Sequence, residues 1–187
     1  MIIDLFKVPV YDTFVELDNI KLEQYCLELS KIDKGREKSN SGGWQSNDLQ
    51  QDPLLDQLVS EISYHSNLFF RELGLIMEAG LINIWANINK YRDYNREHLH
   101  PSSKISGVYY IKVPEKSGQF VFLHPCCDIM GYDWHYEGNP GSDYITPAKK
   151  FHPKPGTLIL FPSWLKHLVE PNMNLTEKRI SISFNLA

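Results

Sequence analysis

Two histidines one residue apart, His98-Leu99-His100, stand in front of a β-rich segment, and a third, His167, closes Phe161-Pro162-Ser163-Trp164-Leu165-Lys166-His167. A neutral imidazole offers a lone pair to Fe(II), Ni(II), Cu(II) or Zn(II), so the residue type does not choose the metal. In an extended strand residues i and i+2 share a face, so His98 and His100 are expected to present two imidazoles to one ion. His167 can complete one side of that ion and leave positions open for other ligands. Twelve residues later comes Arg179-Ile180-Ser181. A guanidinium is costly to bury unless an anion meets it, and its planar fork matches a carboxylate in two-point contact. Ser181, on the same strand face, can donate a further hydrogen bond. Taken singly, the H-x-H pair reads equally well as two surface histidines, and Arg-x-Ser as an exposed salt bridge or a structural arginine. In this order and spacing they point to a metal site beside an anion site.

Elements legible in the sequence must position these groups. Residues 2–10 read as a short strand. Residues 17–32 read as an amphipathic helix, with Leu22, Tyr25, Cys26, Leu29 and Ile32 at the spacing of a buried stripe. Residues 34–43 are polar and glycine-bearing, hence a loop. A second helix is expected over 53–73, with Leu54, Leu55, Leu58, Val59, Ile62, Phe69 and Leu73 as its apolar face and Gly74 as its stop. From Leu81 the period becomes two: Ile82, Ile84, Ala86 and Ile88 alternate with Asn83, Trp85, Asn87 and Asn89. Further strands are expected over 105–113, 119–123, 157–161 and 179–186. In the last, Arg179, Ser181, Ser183 and Asn185 share one face, and Ile180, Ile182, Phe184 and Leu186 the other.

Such polar faces can meet water or line a cavity. Trp85 and Arg179 on them favour a cavity, with the apolar faces turned outward against the two helices. The chain is therefore read as one mainly β domain, 1–187, with a strand and supporting helices over 1–80, strands over 81–187, and a lid loop over 124–155. Within the lid, Tyr132, Trp134, His135 and Tyr136 either contact a planar or sugar-like ligand or simply pack. Trp164 reads as packing and His65 as an ordinary helix residue.

The bulk properties narrow the function. Net charge is −4 with lysines and arginines dispersed, which does not indicate a nucleic-acid surface. No apolar run approaches membrane-spanning length, and the start lacks a signal-peptide pattern, so a cytoplasmic location is expected. The three cysteines, Cys26, Cys126 and Cys127, form no disulfide framework. Cys126 and Cys127 beside His124 could bind a soft metal, although ordinary thiols are the simpler reading.

The succession H-x-H, Ser106-Gly107-Val108-Tyr109-Tyr110, Phe161-Pro162-Ser163-Trp164-Leu165-x-His167 and Arg179-Ile180-Ser181-Ile182-Ser183-Phe184-Asn185 resembles the Fe(II)/2-oxoglutarate-dependent oxygenases. More narrowly it is similar to a group of small oxygenases of bacteria and phages, as is the start with Leu5-Phe6 and Val8-Pro9-Val10. The resemblance implies a double-stranded β-helix, a jelly-roll or cupin-like barrel packed against two helices. It implies that His98 and His167 hold Fe(II), that Arg179 with Ser181 binds the C5 carboxylate of 2-oxoglutarate, and that O2 is the other co-substrate. Oxidative decarboxylation to succinate and CO2 would then accompany hydroxylation of an unidentified substrate. Tyr110 and Asn87 are further candidates for the oxoacid pocket, from strand parity and position.

One position departs from that family. Where it usually has Asp or Glu, this chain has His100. Either His100 is the third ligand, or His98 and His167 bind alone with water and His100 behind them. Asp93, Glu97, Asp128 and Asp133 are the carboxylates that could substitute. Two other readings remain: a cupin-like metal-binding protein, in which Arg179 has no clear role, and a non-catalytic binding or assembly protein that keeps the barrel.

Overall fold

The computed structural model describes residues 3, 7–49, 51–76, 78–129 and 146–187. In chain order the elements are β1 (Tyr11–Phe14), α1 (Asn19–Ile32), β2 (Asn40–Ser41), β3 (Trp44–Gln45), a single 3-10 turn (Pro53–Leu55) and α2 (Asp56–Glu72). There follow β4 (Leu81–Asn89), β5 (Tyr94–His98), β6 (Ile105–Lys112), β7 (Phe120–Leu123), β8 (Ala148–Phe151), β9 (Thr157–Pro162), β10 (His167–Val169) and β11 (Arg179–Leu186). They form two antiparallel sheets, β1-β9-β6-β11-β4-β3 and β2-β5-β10-β7-β8.

The period-two strands behave as their sequence demands. β4 and β11 pair so that Arg179, Ser181, Ser183 and Asn185 stand opposite Asn89, Asn87, Trp85 and Asn83. Their other faces, Ile84, Ala86 and Ile88 with Ile180, Ile182, Phe184 and Leu186, are buried against the helices. Leu22 and Cys26 of α1 and Leu58, Ile62, Phe69 and Phe70 of α2 complete that core. Burial of this apolar surface, at roughly 25 cal/mol per Å2, is the main force holding helices to sheet. A second, smaller cluster lies between the sheets: Val108, Tyr110, Ile159 and Phe161 meet Phe120 and Phe122.

Local chemistry sets the helix limits. The Asp18 side chain accepts the Lys21 N–H at 3.0 Å at the start of α1. Asp52 caps the 3-10 turn by accepting the Leu54 N–H at 3.0 Å, with Pro53 in the first turn. The Tyr25 hydroxyl donates to Asp52 at 2.5 Å and ties the two helical segments together. Gly74, at φ +73°, ends α2 as expected.

Several expectations need correction. The first strand among the described residues is Tyr11–Phe14, set by its pairing with β9; residues 7–10 are not strand, and residues 2 and 4–6 lie outside the described residues. Ile32 and Leu54 are exposed and leave their helices' buried stripes, and Trp164 is 54% exposed rather than packed. The 124–155 stretch contains a strand, β8, paired with β7. Tyr132, Asp133, Trp134, His135 and Tyr136 lie outside the described residues. The polar stretch 34–43 is more than a loop. It carries β2, which pairs β5, and runs directly into β3, which pairs β4. Residues 33–46 are thus a strap joined to one edge of each sheet. Gly42 and Gly43, at φ +67° and +66°, turn it between the two, and a Cβ on Gly42 would stand 2.1 Å from an Asp93 carboxylate oxygen.

Candidate metal and oxoacid site

His98 ends β5 and His167 begins β10, and the two are partners in the ladder between those strands. His100 lies beyond β5, so the shared-face argument for H-x-H does not apply. Its position is set instead by its backbone N–H, which donates to Ser163 O at 2.9 Å. The three rings nevertheless converge. One ring nitrogen from each falls within 4.8 Å of the others, and His100 Nε2 is 3.3 Å from His167 Nε2. His98 Nδ1 lies 2.7 Å from Arg96 O and His167 Nδ1 lies 2.8 Å from Leu165 O. A carbonyl can only accept, so each Nδ1 carries the proton and each Nε2 keeps its lone pair free. Burial pushes the pKa of all three below the ordinary histidine value, that of His167 well below it, and that of His100 to about 4, with His98 adding to the effect. Neutral imidazole is the form that binds metal.

Arg179 is 1% exposed, at the start of β11. One guanidinium nitrogen, Nη1, donates to the carbonyls of Ser117 and Glu170, the latter at 2.9 Å. The other, Nη2, is buried and has no hydrogen-bond partner among the described residues. Burial lowers the Arg179 pKa, and Tyr110 and Asp93 counter that. A buried charge with an unused donor is expensive, and a bound anion is the ordinary remedy.

A bulge in the β6–β11 ladder shifts the register after Ile180, so that Ser181 stands opposite Tyr110. The Tyr110 side chain is buried, and that burial pushes its pKa up to about 12, against the opposing pull of Arg179. Its hydroxyl makes no hydrogen bond among the described residues. Asn87 Nδ2 donates to Ser183 Oγ at 3.0 Å. His98, His100, His167, Arg179, Ser181, Tyr110 and Asn87 all line one cavity between the sheets. Ser39 and Asn95 line it too and were not anticipated, since neither sits in a stretch with readable period. Asn89, Ser183 and Trp85 line it as well, all three predictable from strand parity.

The three described alternative carboxylates are engaged elsewhere. Asp93 accepts the Lys90 N–H at 2.7 Å, and Glu97 and Asp128 lie 3.2 and 3.8 Å from Lys166. Among the described residues the three histidines form the only group of three or more side chains able to hold a metal, so Cys126, Cys127 and His124 do not make one. His65, as expected, is a helix residue with local partners, Tyr11 at 2.9 Å and Glu61 at 3.6 Å.

The cavity between the two sheets thus holds three imidazoles able to bind a metal and a guanidinium nitrogen free to meet an anion. Comparison agrees. Residues 83–185 match the family described as "Putative 2OG-Fe(II) oxygenase", and the chain belongs to that family. It is an oxidoreductase whose cofactors are Fe(II) and 2-oxoglutarate, with O2 as the further co-substrate. No curated protein matches the sequence significantly. Among solved structures, a Pseudomonas putida prolyl-4-hydroxylase is similar at 16% identity, over 96% of this chain and 92% of its own, with a TM-score of 0.66. The viral collagen prolyl hydroxylase of Paramecium Bursaria Chlorella virus-1, solved as its 2OG complex, is similar at 14% identity, over 95% and 94%, with a TM-score of 0.60. HygX from Streptomyces hygroscopicus, with nickel and 2-oxoglutarate bound, is similar at 11% identity, over 96% and 83%, with a TM-score of 0.60. At these identities the likeness is one of fold. The residues present here fit the family's cofactors: lone pairs from imidazoles for the metal, and an unpartnered buried guanidinium for the oxoacid. Family membership sets aside the cupin-like and non-catalytic readings. No described helix is long and apolar enough to cross a membrane.

Proposed function

We propose that this chain is a 2-oxoglutarate-dependent hydroxylase in which His98, His100 and His167 hold Fe(II). In this reading Arg179 Nη2 and Ser181 bind the distal carboxylate of 2-oxoglutarate, and Tyr110 and Asn87 complete the oxoacid pocket. The whole chain acts as one domain whose two sheets form a double-stranded β-helix, and it works in the cytoplasm, in keeping with its three free cysteines. The observation that carries the reading is the Arg179 nitrogen without a partner in the cavity that also holds the three imidazoles.

When bound, Fe(II) and 2-oxoglutarate supply an oxidant from O2, with the oxoacid leaving as succinate and CO2 and a substrate C–H becoming C–OH. The chain's own residues do the rest. Backbone carbonyls fix the tautomers of His98 and His167, so no reorientation is needed when the metal arrives. Three neutral ligands add no negative charge and leave the ion more electrophilic than a site with a carboxylate. Arg179, already held on one side by Ser117 and Glu170, presents its remaining edge to the carboxylate. Phe120, Phe161 and Val169 line the same cavity and keep it partly dry.

Anaerobic titration of purified protein with Fe(II) and 2-oxoglutarate tests this. A visible metal-to-ligand charge-transfer band is expected, abolished by Arg179→Ala and weakened by His100→Ala. Absence of the band under every condition would overturn the reading. Succinate release without added substrate would support an oxygenase.

A further inference from the structure

A second, larger groove opens beside the histidine cluster and shares Ser39, Trp85, His98 and His100 with the inner cavity. Its outer wall is the strap. It is lined by three cations, Arg36, Lys38 and Arg96, against one carboxylate, Glu97, which Lys166 already meets from outside the groove at 3.2 Å. Arg96 is also committed: its Nη2 donates to Lys38 O at 3.1 Å and lies 3.8 Å from Glu37.

Arg36 is not committed. Its backbone is fixed, with the N–H donating to Gln45 O at 2.9 Å and the carbonyl accepting from Asn40 Nδ2 at 3.4 Å. Its guanidinium carbon lies 5.9 Å from the centre of the Trp85 ring, within reach of a cation–π attraction. Its Nε is buried and has no hydrogen-bond partner among the described residues, and Arg36 makes no ion pair there. Asp33, which feels the Arg36 charge, is occupied with the Gly35 N–H and with Asn47. Lys38 likewise has no ion-pair partner among the described residues. A guanidinium parked over an aromatic face, with a sheltered donor unused, is a half-built oxyanion site.

We propose that the substrate oxidised at this site carries an oxyanion, a carboxylate or a phosphate, which docks against Arg36 and Lys38 over Trp85. Arg36 is then a specificity-determining residue, distinct from Arg179, and it positions the anionic end so that a neighbouring C–H faces the histidines. This rests on the hydroxylase reading for what happens next, but anion binding here needs neither metal nor turnover.

The test follows the Arg36 Nε–H resonance by NMR in the full-length protein, assigned by its loss in Arg36→Gln. Inorganic phosphate or acetate is added, with and without 2-oxoglutarate, at ionic strength held constant with chloride. A saturable shift is expected, and the anion that saturates at lower concentration identifies the group. By calorimetry, Arg36→Gln and, separately, the exposed-site variant Lys38→Gln weaken that binding, the first by about tenfold. Arg179→Gln leaves the anion-induced shift of the Arg36 Nε–H resonance unchanged. No saturable shift with either anion, undiminished binding in both strap variants, or loss of the response in Arg179→Gln would overturn the proposal. A missing charge-transfer band with an intact Arg36 response would instead count against the hydroxylase reading alone.

Discussion

His98 and His167 are opposite partners across one β-ladder, and each holds its Nδ1 against the carbonyl of the residue two before it, Arg96 O at 2.7 Å and Leu165 O at 2.8 Å. The same local device thus fixes both rings from both sides of the site.

A pH dependence follows. The three histidines have lower pKa in the folded chain than the ordinary 6.5, with His100 at about 4. Below 6.5 the unfolded chain takes up protons that the folded chain refuses, so stability falls as pH drops. The loss starts near 6.5 and continues towards about 4, where His100 itself becomes charged; above 6.5 these groups contribute nothing. Thermal midpoints of metal-free protein across this range should decline, and His167→Gln should flatten the decline. An unchanged slope in that variant would refute it.

Arg179→Lys should not rescue oxoacid binding. A lysine keeps the charge but lacks the fork that grips Ser117 O and Glu170 O with one nitrogen and, in the proposed function, a carboxylate with the other. Calorimetry with 2-oxoglutarate should show affinity reduced by about a hundredfold, roughly the loss of a charge-assisted hydrogen-bonded contact.

Tyr110→Phe should be milder. Burial keeps the phenol protonated up to about 12, so at any working pH it can donate to a bound oxoacid. Removing that one hydrogen bond should raise the KM for 2-oxoglutarate by about three- to tenfold with the fold intact.

Gly118 acts on Arg179 at a distance. It sits at φ +80°, and an added Cβ would stand 2.4 Å from Glu170 O, the carbonyl that holds Arg179. Gly118→Ala should therefore weaken 2-oxoglutarate binding as well as lower the melting temperature. A variant that melts early but binds the oxoacid normally would contradict the link.

Much of this was readable in the sequence because two physical patterns are strong. Strict alternation in β4 and β11 announced which side chains face the cavity, and all seven candidate site residues line it. The three histidines were grouped for a reason that fails, since His100 is off the strand; a backbone bond to Ser163 does that work and leaves no mark in the sequence. β5, Tyr-Asn-Arg-Glu-His, is half-exposed and has no apolar face to betray it, and β10 has only three residues. The strap was taken for a loop because its strands are two residues each and are defined only by their partners.

The strap has a consequence for inheritance. The stretch that carries family likeness, residues 83–185, contains every group assigned to metal and oxoacid, while Arg36 and Lys38 lie outside it. On the proposal made for Arg36, part of the choice of substrate is written outside the stretch that holds the reagent, although Trp85 lies within it. If Arg36 and Lys38 dock the substrate, exchanging the contiguous residues of the strap alters that choice and leaves the three histidines in place.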